Sequence, residues 1–228
     1  SPVWDTLLAL LAMQDCEREQ GPAVEKAVQW VLDRQVLVPG DWSQKLPHVK
    51  PGGWAFEYAN NLYPDVDDTA VAPIALAPFR DARNGEPRIE DAIKLGVDWP
   101  IGMQSKSGGW GAFDKDNTRK ILTKIPFCDF GEALDPPSVD VTAHVVEAFA
   151  KLSIPANHPS MVRALEYIRR EQEPEGPWFG RRGVNYLYGT AAALPALAAI
   201  GEDVCQAYIG QACDWIVGRQ QEDGGWGE

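Results

Sequence analysis

A chain of 228 residues, 45% hydrophobic and 24% charged, has room for one globular domain with a sizeable core, and this composition argues against disorder. Its 21 basic and 33 acidic side chains leave a net charge of -12 with no basic stripe to neutralise phosphate, and its longest apolar stretches, near 191–200, are about half of the ~20 residues that a spanning helix needs, so nucleic-acid binding and membrane crossing are both disfavoured. Cys16, Cys128, Cys205 and Cys213 form no CxxC pair, which suits reduced intracellular thiols better than a disulfide scaffold or a zinc site.

In chain order, the first predicted helix starts near Thr6 and runs through Leu7 to Leu11. A helix with Ala27 and Trp30 on its buried stripe follows, then Gln35 and a turn with Gly40 and Trp42. After a loop over 43–64, Thr69 opens an Ala- and Leu-rich helix through Ala77. Gly96, Trp99, Gln104, Gly108 and Trp110 repeat the motif, and a second long loop spans 105–139. Thr142 opens the helix through Leu152; Ala164, Tyr167, Gln172, Gly176 and Trp178 give the third motif. Thr190 opens the helix to Ile200, and Ala212, Trp215, Gln220, Gly224 and Trp226 give the fourth.

The four motifs hold the aromatic-to-Gln step at five; the Gln-to-Trp step is six in the last three and seven in the first, read as an inserted residue. Four anchor types held over four copies are a repeat, whereas one Gly-x-Trp would mean little. Each motif reads as a helix ended by a Gly turn whose Trp folds back, with the Gln amide meeting backbone groups, a bracing role rather than a catalytic one. The Thr residues read as sitting at or near the N-caps of the intervening helices. Those helices are apolar nearly all round and the motif helices carry an outer charged face, so the unit is a helix pair in inner and outer rings of an all-α fold. Pro73 and Pro195 are expected to kink their helices or shift their starts. The chain opens without Met and stops after a Gly-Gly-Trp, and is read as an internal piece of a longer two-domain chain, 1–228 being one partial catalytic domain with no signal peptide.

Two positions before each Thr stand Trp4, Asp67, Asp140 and Tyr188, which parallel inner helices would set on one rim. Around Asp67 the chain reads Asp65-Val66-Asp67-Asp68, and His144 lies one helical turn beyond Asp140. Helix capping would explain one such carboxylate. Three packed together raise each other's proton affinity, so one stays protonated, and a protonated acid in an apolar aromatic cavity is a general acid. His144 reads either as a core histidine or as the partner that orients this acid.

The stretch Asp65-Val66-Asp67-Asp68-Thr69-Ala70, the four Gln-Trp repeats and the run Pro126-Phe127-Cys128-Asp129-Phe130-Gly131-Glu132 together resemble the squalene-hopene cyclases, class II triterpene cyclases, over essentially the whole chain. The resemblance implies an α/α toroid in which Asp67 protonates a terminal alkene of squalene and a carbocation cascade builds the rings of hopene or hopanol. It assigns Asp65 and Asp68 as flanking acids, His144 as partner of the acid and Tyr188 to the proton-return route. Trp4, Phe56 and Phe113 become aromatic wall positions, with Phe127 and Asp140 completing the substrate-binding set. Such ring faces stabilise cations by ~2 kcal/mol or more when desolvated. No metal or other cofactor is implied. The full-length family member would sit peripherally on the cytoplasmic side of a membrane through segments absent here, and a homodimer is compatible with the pattern. Two positions depart: Phe113 stands where Tyr is common, and Arg182 stands where a wall Trp is expected, putting a guanidinium where a carbocation would be opposed.

Three competing readings remain at this level. A toroidal glycoside hydrolase would use Asp67 and Asp140 as acid and base, but wants a polar groove. A prenyltransferase subunit would need a zinc set, for which Cys128 and His144 are badly spaced. A non-catalytic repeat scaffold would leave the clustered carboxylates unexplained.

Overall fold

The computed structural model describes residues 1–18, 20–58, 60, 62–82, 87–118, 134–183 and 185–228. Residues 119–133 of the second long loop, with Phe127 and Cys128, lie outside the described residues. The described residues form helices joined by loops, with isolated β-bridges in place of strands. They fall into two compact units, Ser1–Met103 and Gln104–Glu228.

Unit one holds α1 (Pro2–Asp15), α2 (Pro22–Asp33), a short 3-10 turn (Asp41–Gln44), α3 (Val66–Leu76), α4 (Phe79–Ala82) and α5 (Pro87–Met103). Pro2 and Pro22 stand in the first turns of their helices, where a missing N–H costs nothing. α3 packs against α1 and α5, and α2 against the same two. Val3, Leu7 and Leu10 from α1, Val24, Val28 and Val31 from α2, Ala72 and Leu76 from α3 and Ile89 and Ile93 from α5 meet around the buried Trp54.

Unit two holds α6 (Val139–Lys151), α7 (Pro159–Arg170), α8 (Asn185–Ala199) and α9 (Ala207–Val217). α6 packs on α7 and α8, and α8 on α9. Trp110 and Trp178 are fully buried, and Trp110 meets Phe149 edge to face at 6.3 Å.

The Gln amides hold these pairs together. Gln35 Nε2 donates to the Gly52 and Ala92 carbonyls at 2.8 and 2.9 Å. Gln104 donates likewise to Gly108 and Ser160 at 2.7 and 2.8 Å, and Gln172 to Gly176 and Tyr208 at 2.6 and 2.8 Å. Each Gln thus ties its own turn to the next motif helix. The Trp indoles bind back: Trp54 Nε1 donates to Val31, Trp178 to Ile168 and Trp226 to Ile216, all at 2.7–2.8 Å. Gly108 and Gly176 take φ of +99° and +111°, and a Cβ on Gly108 would lie 2.3 Å from the Arg163 carbonyl oxygen, so only glycine fits this turn.

Two expectations need correction, and a third holds for only some of the helices. The first motif closes on Gly52 and Trp54, not on Gly40 and Trp42: Gln35 bonds Gly52, and the intervening residues are an insertion in which Trp42 stacks edge to face on Trp99 at 5.8 Å. The Thr residues are not N-caps. Ser1, Asp65 and Ser138 hold the N-cap positions of α1, α3 and α6, and the Thr residues lie about a turn inside. There Thr69 Oγ1 accepts the Trp54 N–H at 2.8 Å, Thr142 Oγ1 the Trp110 N–H at 3.0 Å and Thr190 Oγ1 the Trp178 N–H at 2.9 Å. Pro73 and Pro195 both lie inside their helices, α3 and α8. Burial on nearly every side holds for α3 and α6, whereas Leu8 and Met13 of α1 and Tyr188 of α8 stay exposed.

Candidate active site: an acid cluster and a paired arginine

The start of α3 is fixed by the segment that carries Trp54. Asp65 N–H donates to the Trp54 carbonyl at 2.9 Å, and the Trp54 N–H returns to Thr69 Oγ1. Asp65 Oδ1 then caps the helix by accepting the Asp68 N–H at 2.8 Å. This clip buries two carboxyl groups: Asp65 is 3% exposed and Asp68 1%. Asp65 Oδ2 and both Asp68 oxygens are shut away from other hydrogen-bond donors. Two ionised carboxylates cannot satisfy one another; a single shared proton can, with one carboxyl donating to the other.

Burial is the main cause that raises the Asp65 carboxyl well above its ordinary range, and the Asp68 charge adds to it. Burial likewise raises Asp68, to about 6; the hydrogen bond from Asp65 opposes that rise and the Asp67 charge adds to it. Both shifts favour a proton held within the pair, with Asp65 donating to Asp68. Asp67, the second residue of α3, is only half-buried and is the most open of the three acids. Trp4 is half-buried in the first turn of α1, and Phe56 is exposed in the segment after Trp54. Ser1 Oγ donates to the Phe56 carbonyl, which joins the start of α1 to that segment.

In unit two, Asp140 is the second residue of α6 and is fully buried. Its Oδ2 accepts the Arg182 N–H at 2.7 Å, and its Oδ1 is buried with no donor. His144, one turn further on, is half-buried. Asp135 gathers the loop that carries Phe113. Its Oδ1 accepts from Ala112 N at 3.2 Å, and its Oδ2 from Phe113 N and Asp114 N at 2.6 and 2.8 Å. Arg182 Nη2 pairs with Asp135 Oδ1 at 2.7 Å, and its Cζ lies 5.2 Å from the centroid of the Phe113 ring. Tyr188, in the first turns of α8, lies over the same glycine-bounded turn: a Cβ on Gly183 would fall 2.1 Å from its ring.

The structure thus joins Asp65, Asp67 and Asp68 in one helical turn, and Phe113, Asp140, Arg182 and Tyr188 around another. Phe127 lies outside the described residues. Asp135 escaped sequence reasoning. Its one signal is that it is the sole acid in 134–139, followed by two prolines that have no N–H to offer it.

Helix pairs bound through Gln amides and Trp indoles, with an acid cluster at a buried helix start, define an all-α protein of the α/α-toroid class. The family profile described as "Squalene-hopene cyclase C-terminal domain" matches residues 1–228, and the chain belongs to that family. It is 53% identical over 207 residues to a squalene-hopene cyclase of Alicyclobacillus acidocaldarius, covering 88% of this chain and 32% of that protein. A squalene-hopene cyclase of Zymomonas mobilis is 46% identical over 235 residues, covering all of this chain and 35% of that protein. This chain therefore spans about a third of the length of these relatives. Among solved structures, the type II terpene cyclase MstE from Scytonema aligns over 95% of this chain and 53% of its own, with a TM-score of 0.53 at 23% identity, a likeness of fold. Among the described residues no helix is long and apolar enough to cross a membrane.

Proposed function

We propose that this chain is the acid-bearing part of a class II terpene cyclase that converts squalene to hopene or hopanol, both compact units belonging to one catalytic domain. The observation that carries this reading is the buried Asp65–Asp68 pair, whose carboxyls burial pushes towards the protonated form, in the same helical turn as the more open Asp67. In the proposed reaction the Asp67 O–H bond breaks as a C–H bond forms on a terminal alkene carbon. The resulting tertiary cation is attacked by the next alkene, and each ring closure passes the positive charge on. Proton loss ends the cascade at an alkene; water capture followed by proton loss ends it at an alcohol.

An unactivated alkene is a poor base, so the donor must be a strong acid that is nevertheless protonated before the substrate arrives. The Asp65–Asp68 pair is proposed to supply the second requirement by handing its proton to Asp67, one carboxyl of the pair ionising as the Asp67 O–H bond forms. His144 is proposed to hydrogen-bond and orient Asp67, and Tyr188 to take part in returning the proton from solvent. Trp4, Phe56 and Phe127 are proposed as wall residues whose ring faces stabilise the moving cation, and Phe113 as a wall residue whose ring already carries the Arg182 guanidinium. Asp140 completes the wall by holding the turn at Arg182. Squalene is almost insoluble in water, so the enzyme is proposed to draw it from a membrane surface through parts of the protein beyond this chain.

Incubating the intact protein with squalene and identifying products by mass spectrometry tests the reading. The wild type should form cyclic triterpenes, and Asp67→Asn, which keeps volume and removes the transferable proton, should form none while remaining folded. Wild-type protein that leaves squalene unchanged, or an Asp67→Asn variant that turns over at the wild-type rate, would overturn it.

A further inference from the structure

The turn 180–183 carries two arginines with different duties. Arg181 Nη2 donates to the Leu134 carbonyl at 3.0 Å and braces the chain before Asp135. Arg182 is held at both ends. Its backbone N–H binds the buried Asp140, and its guanidinium pairs with the buried Asp135 while lying over the Phe113 ring. The Arg182 side chain keeps 36% of its surface exposed, yet its guanidinium does not hang free in water. It is tethered by a carboxylate whose own position is fixed by the N–H groups of Ala112, Phe113 and Asp114. Phe113 and the charge above it are therefore set by the same residue.

We propose that Arg182 is a specificity-determining residue: a fixed positive charge laid on Phe113 that withdraws this ring from stabilising a carbocation and diverts part of the cyclisation to products short of the full set of rings. The inference rests on the cyclase reading and goes beyond it in stating where the cascade ends. An aromatic face attracts a cation through its quadrupole, and here that face already carries one. A second positive charge brought to the same ring is repelled by the first. A cation that forms beside Phe113 is thus disfavoured relative to those formed earlier. The earlier cation is quenched first, losing a proton to water to leave an alkene, or taking up water and losing a proton to leave an alcohol. Both outcomes keep the carbon–carbon bonds already made.

The test compares intact wild-type protein with Arg182→Met, Arg182→Gln and Arg182→Lys, using squalene as substrate, product ratios by gas chromatography with mass spectrometry, and melting temperatures measured in parallel. Met removes the charge at similar length; Gln does so while keeping a donor for Asp135, and stands in if the Met variant fails to fold. The ratio of the most cyclised product to the incompletely cyclised ones should rise tenfold or more in Met or Gln. It should stay near wild type in Lys, which retains the charge. A wild-type ratio in the uncharged variants, whatever their melting temperatures, would make Arg182 a structural tie and overturn the proposal. Failure of the cyclase reading itself would show in the wild type, as squalene left unconsumed, and would remove this proposal with it.

Discussion

At the start of α3 the N-cap residue Asp65 sends its N–H to the Trp54 carbonyl, and the Thr69 hydroxyl takes the Trp54 N–H. At the start of α6 the N-cap residue Ser138 sends its N–H to the Trp110 carbonyl, and the Thr142 hydroxyl takes the Trp110 N–H. Each helix has Asp as its second residue, Asp67 and Asp140. The differences lie at the N-cap and at the third residue, where α3 has Asp65 and Asp68 and α6 has Ser138 and Val141. In α3 those two acids are buried and the second residue is left more open. In α6 the second residue is itself buried and engaged by the Arg182 backbone. One backbone plan thus yields a proton store in one place and an anchored turn in the other, and two side chains decide which.

Asp67→Asn and Asp140→Asn sharpen this contrast most. The first should lower the proposed cyclisation rate by ~10²- to 10⁴-fold or more, the scale of a general acid, at unchanged melting temperature. The second should leave most of the rate and act on stability instead, because its amide oxygen still accepts the Arg182 N–H. Assays of product formation beside thermal unfolding separate the two, and equal rate losses would break the comparison.

The shared plan predicts shared costs. Trp54→Ala and Trp110→Ala should each destabilise the protein by ~3 to 5 kcal/mol, as losses of fully buried Trp side chains, with initial activity at low temperature largely kept. Trp42→Ala should cost less than Trp54→Ala, since the Trp54 indole donates to Val31 and its backbone is tied to Thr69, whereas Trp42 Nε1 lacks an acceptor. Denaturant unfolding of the three variants checks this order.

A smaller effect distinguishes α3 by pH. Asp68 titrates at about 6 in the folded protein against an ordinary 3.8, so the folded state binds the extra proton between those values. Its contribution to stability is full below pH ~4 and is lost as pH rises through about 6, a decline of about 3 kcal/mol. Asp68→Asn should remove that decline, while Asp140→Asn should leave it in place. Melting curves from pH 4 to 8 would show it.

Much of this was legible in sequence, and the exceptions have physical causes. The helix pairs were visible because aromatic, Gln and Gly residues recur at helical spacing. The first motif was misplaced because Gly40 and Trp42 imitate the spacing, while the true closure at Trp54 lies beyond an insertion that no fixed period can cross. The Thr residues mark the helix starts one turn late, since a hydroxyl that accepts a Trp N–H and donates to the carbonyl four residues back looks in sequence like a cap. The acid cluster was evident from Asp65, Asp67 and Asp68 alone. Which members are buried was not, because that depends on the Trp54 segment lying against the helix start. Asp135 was invisible because its partners, Ala112 to Asp114 and Arg182, come from distant parts of the chain.

The contrast between the two helix starts is tested most directly by infrared difference spectroscopy of the intact protein as pH is raised from 5 to 8, reading the carbonyl band of protonated carboxyl groups. A buried protonated carboxyl should persist at pH 7 and disappear in Asp65→Asn, a second carboxyl should ionise near pH 6 and be missing in Asp68→Asn, and Asp140→Asn should change neither. Wild-type protein with no protonated carboxyl at pH 7, or one that vanishes only in Asp140→Asn, would contradict the assignment of the proton store to α3.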